Sequence, residues 1–149
     1  MKPLPLLALL LCSIFCWNVS SAFGQGRRHP DKVRETKTIQ GSFVSFEVGD
    51  YLHAMIRKSD GQKETFFLIK PGMEYFLVMH KGEPLALTYQ IVDTYIPEAG
   101  GMETIKRLIS AKAGNLTYAV WWKSIRTKFS MARLREKYDP LVQESTIEP

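Results

Sequence analysis

Cysteine is scarce in this chain and is confined to its beginning. The sequence has only Cys12 and Cys16. If the segment that holds them is removed on export, the remaining chain has no disulfide, no thiol nucleophile and no thiolate metal site. Small eukaryotic secreted domains usually carry disulfides. This absence therefore favours a bacterial periplasmic or secreted protein that is stabilised by packing alone.

Acidic residues are also missing from the start of the chain. A single positive charge at Lys2 precedes an apolar run over residues 4–17, and small residues follow at Ser20 and Ala22. These are the three regions of a secretory signal peptide. The run is shorter than the ~20 residues that a membrane-spanning helix needs. We expect cleavage after Ala22, or alternatively after Gly24, and a mature chain without a transmembrane segment.

The excess of positive charge is mild. Lys and Arg number 20 against 15 Asp and Glu, a formal net charge of +5, and the loss of Lys2 with a signal peptide leaves +4. Such a charge permits contact with phospholipid headgroups, anionic glycans or nucleic acid but does not argue for any of them.

Catalytic and metal-binding motifs are absent from the sequence. It has no Gly-rich phosphate loop, nucleophile elbow or His-Glu-x-x-His motif. His29 and His80 have no second ligand at metal-binding spacing, and Glu47, Asp50 and His53 come nearest to a cluster, although a turn explains Asp50 better. Paired carboxylates for acid–base catalysis would have to come from polar strand positions or turns, at Glu47, Glu64, Glu83, Asp93 and Glu98. We predict that the protein is not an enzyme and has no cofactor or metal.

A lead-in and three β segments form the first half of the mature chain. Residues 23–35 lack apolar periodicity and predict a flexible basic lead-in. Residues 38–48, 51–58 and 63–69 are rich in β-branched and aromatic residues and are joined by a Gly-Asp and an Asp-Gly turn. They predict an antiparallel meander, in which Gly41 indicates a bend or bulge.

Alternation in the second segment separates two faces. Leu52, Ala54 and Ile56 share one face, because successive side chains of a strand point to opposite sides. The other face, with two residues of the next segment, carries the candidate partner-binding residues Tyr51, His53, Met55, Arg57, Lys63 and Phe67.

The second half of the mature chain is less uniform. Residues 73–80 are compatible with two helical turns or with a strand, and residues 84–96 predict a strand. Residues 102–112 favour a helix by propensity but a closing fifth strand by topology. Residues 114–138 predict an amphipathic helix with an apolar stripe, and residues 139–149 a loose tail.

This order of elements carries a resemblance. Three meander strands, a short helix-like link and two more strands form the order of the OB-fold. The tracts at residues 49–61 and 95–102 resemble those of small exported bacterial OB-fold-like proteins of unassigned function. The resemblance implies a mainly β (α+β) fold, a five-stranded OB-like barrel over residues 36–113 with an added C-terminal amphipathic helix that packs over one barrel opening.

Two functional hypotheses follow. In the first, an exported, non-enzymatic barrel binds a protein or glycan partner on the face that carries Tyr51, and export makes nucleic acid an unlikely ligand. In the second, the protein is structural and associates with the envelope or a membrane surface through Trp121, Trp122 and the basic flank of the C-terminal helix. Burial of these aromatic residues in the core would weaken each hypothesis in turn.

Overall fold

The computed structural model describes residues 30–147. The predicted signal peptide (residues 1–22) and His29 lie outside the described residues. Within them the chain is mainly β, with seven strands and three helices. The strands are β1 (Lys32–Val48), β2 (Leu52–Lys58), β3 (Lys63–Leu68), β4 (Leu85–Ile96), β5 (Gly101–Ala113), β6 (Leu116–Thr117) and β7 (Thr146–Ile147). The helices are α1 (Met73–Met79), α2 (Tyr118–Lys128) and α3 (Met131–Glu144).

Five of the strands close into a ring. Their order is β2-β3-β5-β4-β1, and β1 also pairs with β2. The length of β1 makes this closure possible, because residues 32–41 pair with β4 and residues 41–48 pair with β2. The β3–β5 junction is parallel and short, since it joins only Phe67 to Arg107 and Leu68 to Leu108. The other pairings around the ring are antiparallel.

Gly41 lies where β1 changes from one partner to the other. The sequence predicted a bend or bulge at Gly41, but the register shift of the β1–β2 pair falls between Phe43 and Ser45. A Cβ at Gly41 would lie 2.7 Å from the carbonyl oxygen of Arg57 and 2.8 Å from a methyl group of Ile56. The glycine therefore allows β2 to approach β1 closely at the switch between partners.

The inside of the ring is apolar. Ala54, Ile56, Phe66 and Leu87 are completely buried, and Leu52 is half-buried against the same cluster. The alternation predicted for β2 is thus confirmed.

The two segments for which the sequence left helix and strand open are a helix and a strand, respectively. Residues 73–79 form α1, which buries Met73, Phe76 and Leu77 completely. Residues 101–113 form β5, and every residue of β4 has a partner on it. Long antiparallel pairing thus overrides the local helix propensity, because propensity is a weak prior against tertiary context.

The C-terminal region differs from its prediction. The expected single helix over residues 114–138 is divided, because Phe129 is extended and the Ser130 hydroxyl caps α3 by accepting from the Arg133 amide. The expected tail over residues 139–149 is ordered as far as it is described: α3 continues to Glu144, and β7 pairs in parallel with β1.

Contacts with α1 explain why the end of α3 is fixed. Tyr138 is buried and stacks on Tyr75, with 5.2 Å between the ring centroids. The Tyr75 hydroxyl donates to the Asp139 carboxylate at 2.7 Å. At the other end of the described chain, β1 begins at Lys32, within the expected flexible lead-in, and Arg34 forms an ion pair with Asp93 of β4 at 2.8 Å.

Candidate functional site

An open groove lies between the outer face of β2–β3 and the turn that joins β4 to β5. Its volume is about 390 Å³. One wall carries Tyr51, His53 and Phe67, and a second wall carries Ile96 and Ile105 together with residues of the turn. We call it the Tyr51–Phe67 groove.

The aromatic wall follows from strand alternation and register. His53 is paired with Phe67 across β2 and β3, and their rings meet edge to face with 4.2 Å between centroids. The Tyr51 ring lies 5.8 Å from Phe67 and is 37% exposed. Because the side chains of Ala54 and Phe66 point into the closed ring of strands, the side chains of their neighbours His53 and Phe67 must point outward. The aromatic side chains therefore remain accessible at the surface.

A hydrogen bond connects the two turns that border the groove. The Tyr51 hydroxyl donates to the Glu98 carboxylate at 2.6 Å. This bond lowers the pKa of the Glu98 carboxyl below its ordinary value, and it is the main reason why the pKa of the Tyr51 phenol is raised. The β1–β2 turn and the β4–β5 turn are thereby held on either side of the opening.

The groove is acidic although the protein is basic. Asp50, Glu98 and Glu103 line it, and none of the described lining residues is Lys or Arg. The Glu98 carboxylate accepts a hydrogen bond from the Tyr51 hydroxyl, whereas the side chains of Asp50 and Glu103 have no hydrogen-bond or ion-pair partner within residues 30–147.

The remaining candidate residues lie outside the groove. Met55 is half-buried, and its sulfur accepts from the Ser45 hydroxyl at 3.9 Å. Arg57 and Lys63 are exposed and lie opposite each other at the hairpin end of β2–β3. Arg57 is four positions after His53, or about 13 Å away along a strand. Of the six predicted residues, the structure thus brings Tyr51, His53 and Phe67 together in the groove.

The other carboxylates considered for catalysis are dispersed. Glu64 pairs with Lys106, Asp93 accepts from Thr104 at 2.7 Å in addition to its Arg34 ion pair, and Glu83 contacts the His80 ring at 2.8 Å. None of these partners is a second carboxylate. Across residues 30–147, no three His, Asp or Glu side chains gather in a group that could hold a metal ion.

The aromatic stripe of the C-terminal region is largely covered. Trp121 is only 6% exposed and packs against Phe76 of α1, with 5.4 Å between ring centroids. Trp122 is half-buried, and its ring lies where a Cβ at Gly72 would stand 2.1 Å away. Trp121 is therefore part of the core and cannot insert into a membrane interface while the fold persists.

The second wall of the groove was missed by sequence reasoning. Ile96, Glu98, Glu103 and Ile105 belong to the β4–β5 hairpin, which is distant in sequence from Tyr51. The available signal was the turn at residues 97–101, and it indicated a chain reversal without indicating what the turn would face.

No family model, curated protein or solved structure matches this chain. Among residues 30–147, no helix combines the length and the apolar character needed to cross a bilayer.

Proposed function

We propose that this chain is an exported, non-enzymatic, OB-like barrel domain that binds a protein or glycan partner in the Tyr51–Phe67 groove. Accessible aromatic rings over a groove bordered by two turns are the observation that carries the proposal. Export rests on the signal-peptide pattern of residues 1–22.

Strand connectivity supports the OB-like assignment. The ring order of five strands, the parallel β3–β5 junction and the position of α1 between β3 and β4 agree with a partly open, five-stranded Greek-key barrel. In such barrels, ligands bind the face of strands 2 and 3 and the loops between strands 1 and 2 and between strands 4 and 5. Tyr51, Phe67 and Glu98 occupy these three positions.

The size and chemistry of the groove favour binding of a small part of a larger ligand. A volume of about 390 Å³ is at the lower end of the ~300–1,000 Å³ of small-molecule sites. It fits one long side chain or one sugar ring. Tyr and Phe rings supply apolar contact area with few rotatable bonds, so little conformational entropy is lost on binding.

Calorimetric titration with two neutral probes, chitotriose and a capped Thr-Gln-Thr peptide, tests the proposal. We expect measurable binding of at least one probe, and a loss of that binding in Tyr51→Ala. The melting temperature should change little in this variant because the ring is exposed. Arg57→Ala is the matched control on the same face, and it should retain binding because Arg57 lies outside the groove. Equal binding by Tyr51→Ala and the wild-type protein would contradict the proposal.

The envelope-associated alternative retains one specific observation. Phe129 is 39% exposed and lies in an open depression at the α2–α3 junction that Arg133, Lys137 and Glu136 also line. An exposed apolar side chain beside two cations suits an anionic lipid surface. Sedimentation with vesicles containing phosphatidylglycerol would support this second candidate if Phe129→Ala abolished binding, and the absence of binding to such vesicles would dismiss it.

A further inference from the structure

We infer that the Tyr51–Phe67 groove selects a positively charged side chain, Lys or Arg, presented by an extended segment of a partner protein. The inference rests on the proposed function and narrows it from a protein or glycan to a peptide with a basic residue.

The groove carries negative charge that no described lining residue compensates. Two carboxylates that line it, those of Asp50 and Glu103, have no hydrogen-bond or ion-pair partner within residues 30–147. The described lining residues include no Lys or Arg that could neutralise them. An anionic ligand such as a phosphate or a uronic acid would be repelled, and a neutral sugar could donate hydrogen bonds to the carboxylates but would leave their negative charge uncompensated. A cation satisfies them.

The aromatic wall favours a cation independently of the carboxylates. Tyr51 and Phe67 present ring surface to the same space that the carboxylates border. A guanidinium or ammonium group is attracted to the negative face of an aromatic ring. A ring and a carboxylate together therefore stabilise a cation better than they stabilise a neutral group of the same size.

The second wall suits the rest of such a side chain. Ile96 and Ile105 are apolar, and they line the same groove as the aromatic residues. The methylene stem of Lys or Arg can lie along apolar surface while its charged end reaches a carboxylate. A compact inorganic cation would not use this apolar surface, which favours a long side chain.

The far end of the same face limits the sequence of the peptide. Arg57 and Lys63 are paired across β2 and β3, about 13 Å from the groove along the strand. Neither has an ion-pair partner within residues 30–147. A second cation that followed the first along the face would meet them and be repelled. We therefore expect the groove to prefer a single basic residue with neutral or acidic neighbours over a polybasic run.

The test compares capped Thr-Arg-Thr, capped Thr-Gln-Thr and chitotriose by calorimetric titration of the full chain. We expect the arginine peptide to bind at least about tenfold more tightly than the glutamine peptide, as a cation–π contact plus an ion pair provides. Glu103→Gln should lower the affinity for the arginine peptide about threefold, the effect of one exposed ion pair. Lys63→Gln is the control: it removes a positive charge from the outer face of β2–β3 and should not lower this affinity.

The possible results separate the inference from the proposed function. If the glutamine peptide or chitotriose binds as tightly as the arginine peptide and Tyr51→Ala abolishes that binding, the charge preference is wrong and the groove remains a binding site. If none of the three probes binds, both are wrong. Because Glu103 is exposed, an unchanged melting temperature for Glu103→Gln would show that a loss of affinity is not a loss of fold.

Discussion

Two aromatic clusters of this protein contrast in what covers them. Trp121 and Tyr138, on the C-terminal helices, are buried against Phe76 and Tyr75 of α1. Tyr51 and Phe67, on the outer face of the ring, are exposed and half-buried. Both clusters combine aromatic rings with nearby basic residues in the sequence, so composition does not distinguish a core from a binding surface. The two are distinguished by whether a helix packs over the aromatic rings.

The helices cover only part of the outer surface of the ring of strands. The inner face of a closed ring of strands is filled by its own side chains, whereas outward residues are covered only where another element packs on them. Helix α2 contacts α1, β5 and β6, and α3 contacts α1. No described residue of the groove belongs to a helix. The rings of the groove are therefore left available, while those of the helices stabilise the fold.

Removal of Trp121 should have the largest effect of any change to either cluster. Trp121→Ala takes a buried ring away from Phe76 and Tyr138, and we expect the free energy of unfolding to fall by about 3–5 kcal/mol, as for other large-to-small core substitutions. Urea denaturation followed by circular dichroism measures the loss. Tyr51→Ala is the matched change in the open cluster and should cost far less. Similar losses in the two variants would show that the groove is also core.

Gly72→Ala tests how tightly Trp122 closes the covered cluster. Gly72 is buried with φ of +79°, and a Cβ there would meet the Trp122 ring at 2.1 Å. Gly61 is the control, because its φ is +83° but nothing lies within 4 Å of a Cβ placed there. Both alanine variants bear the cost of a left-handed backbone. We expect Gly72→Ala to lose about 1–3 kcal/mol more than Gly61→Ala, the usual cost of overpacking. Equal losses would mean that Trp122 moves aside freely.

Titration of Tyr118 should report burial of the helical cluster without a change in its packing. Burial, reinforced by the charge of Glu74, raises the pKa of the Tyr118 phenol to about 12. Because the raised pKa favours the neutral phenol, its contribution to stability is present below the ordinary tyrosine pKa of ~10 and is lost as the pH rises through about 12. Ultraviolet titration of the wild-type protein and of Tyr118→Phe should differ by one tyrosine that ionises late. If the tyrosine by which the two titrations differ ionises near pH ~10, burial of Tyr118 would be contradicted.

Tyr51→Phe should have the smallest effect. It removes the hydroxyl that lowers the pKa of Glu98 and keeps the ring. Since the carboxylate form is favoured in the fold, the contribution of the bond is present above the ordinary glutamate pKa and is lost as the pH falls through the lowered one. Carbon-detected NMR titration should show the pKa of Glu98 higher in Tyr51→Phe, and the pKa of Asp93, held low by Arg34, unchanged. An unaltered pKa of Glu98 would mean that the two turns are not joined by this bond.

The sequence was sufficient for local patterns and insufficient for what covers them. Alternation assigned Ala54 and Ile56 to the core because strand geometry has a period of two. The β5 strand could be predicted only from topology, since its partner β4 supplies the pairing that its own residues do not favour. The end of α3 was missed because Tyr138 and Asp139 are anchored by Tyr75, a contact across more than 60 positions. The second wall of the groove was missed for the same reason, because it is formed by residues far in sequence from Tyr51.

The most direct test of the account is an NMR titration that observes both aromatic clusters at once. Chitotriose, capped Thr-Gln-Thr and capped Thr-Arg-Thr would be added in turn to the protein while the ring resonances of Phe67 and the indole resonance of Trp121 are followed. We predict that the Phe67 resonances shift with a saturating dependence on at least one probe and that Trp121 does not respond. Phe67 resonances that stay fixed with all three probes, or a Trp121 resonance that shifts instead, would contradict the assignment of binding to the open cluster and stability to the covered one.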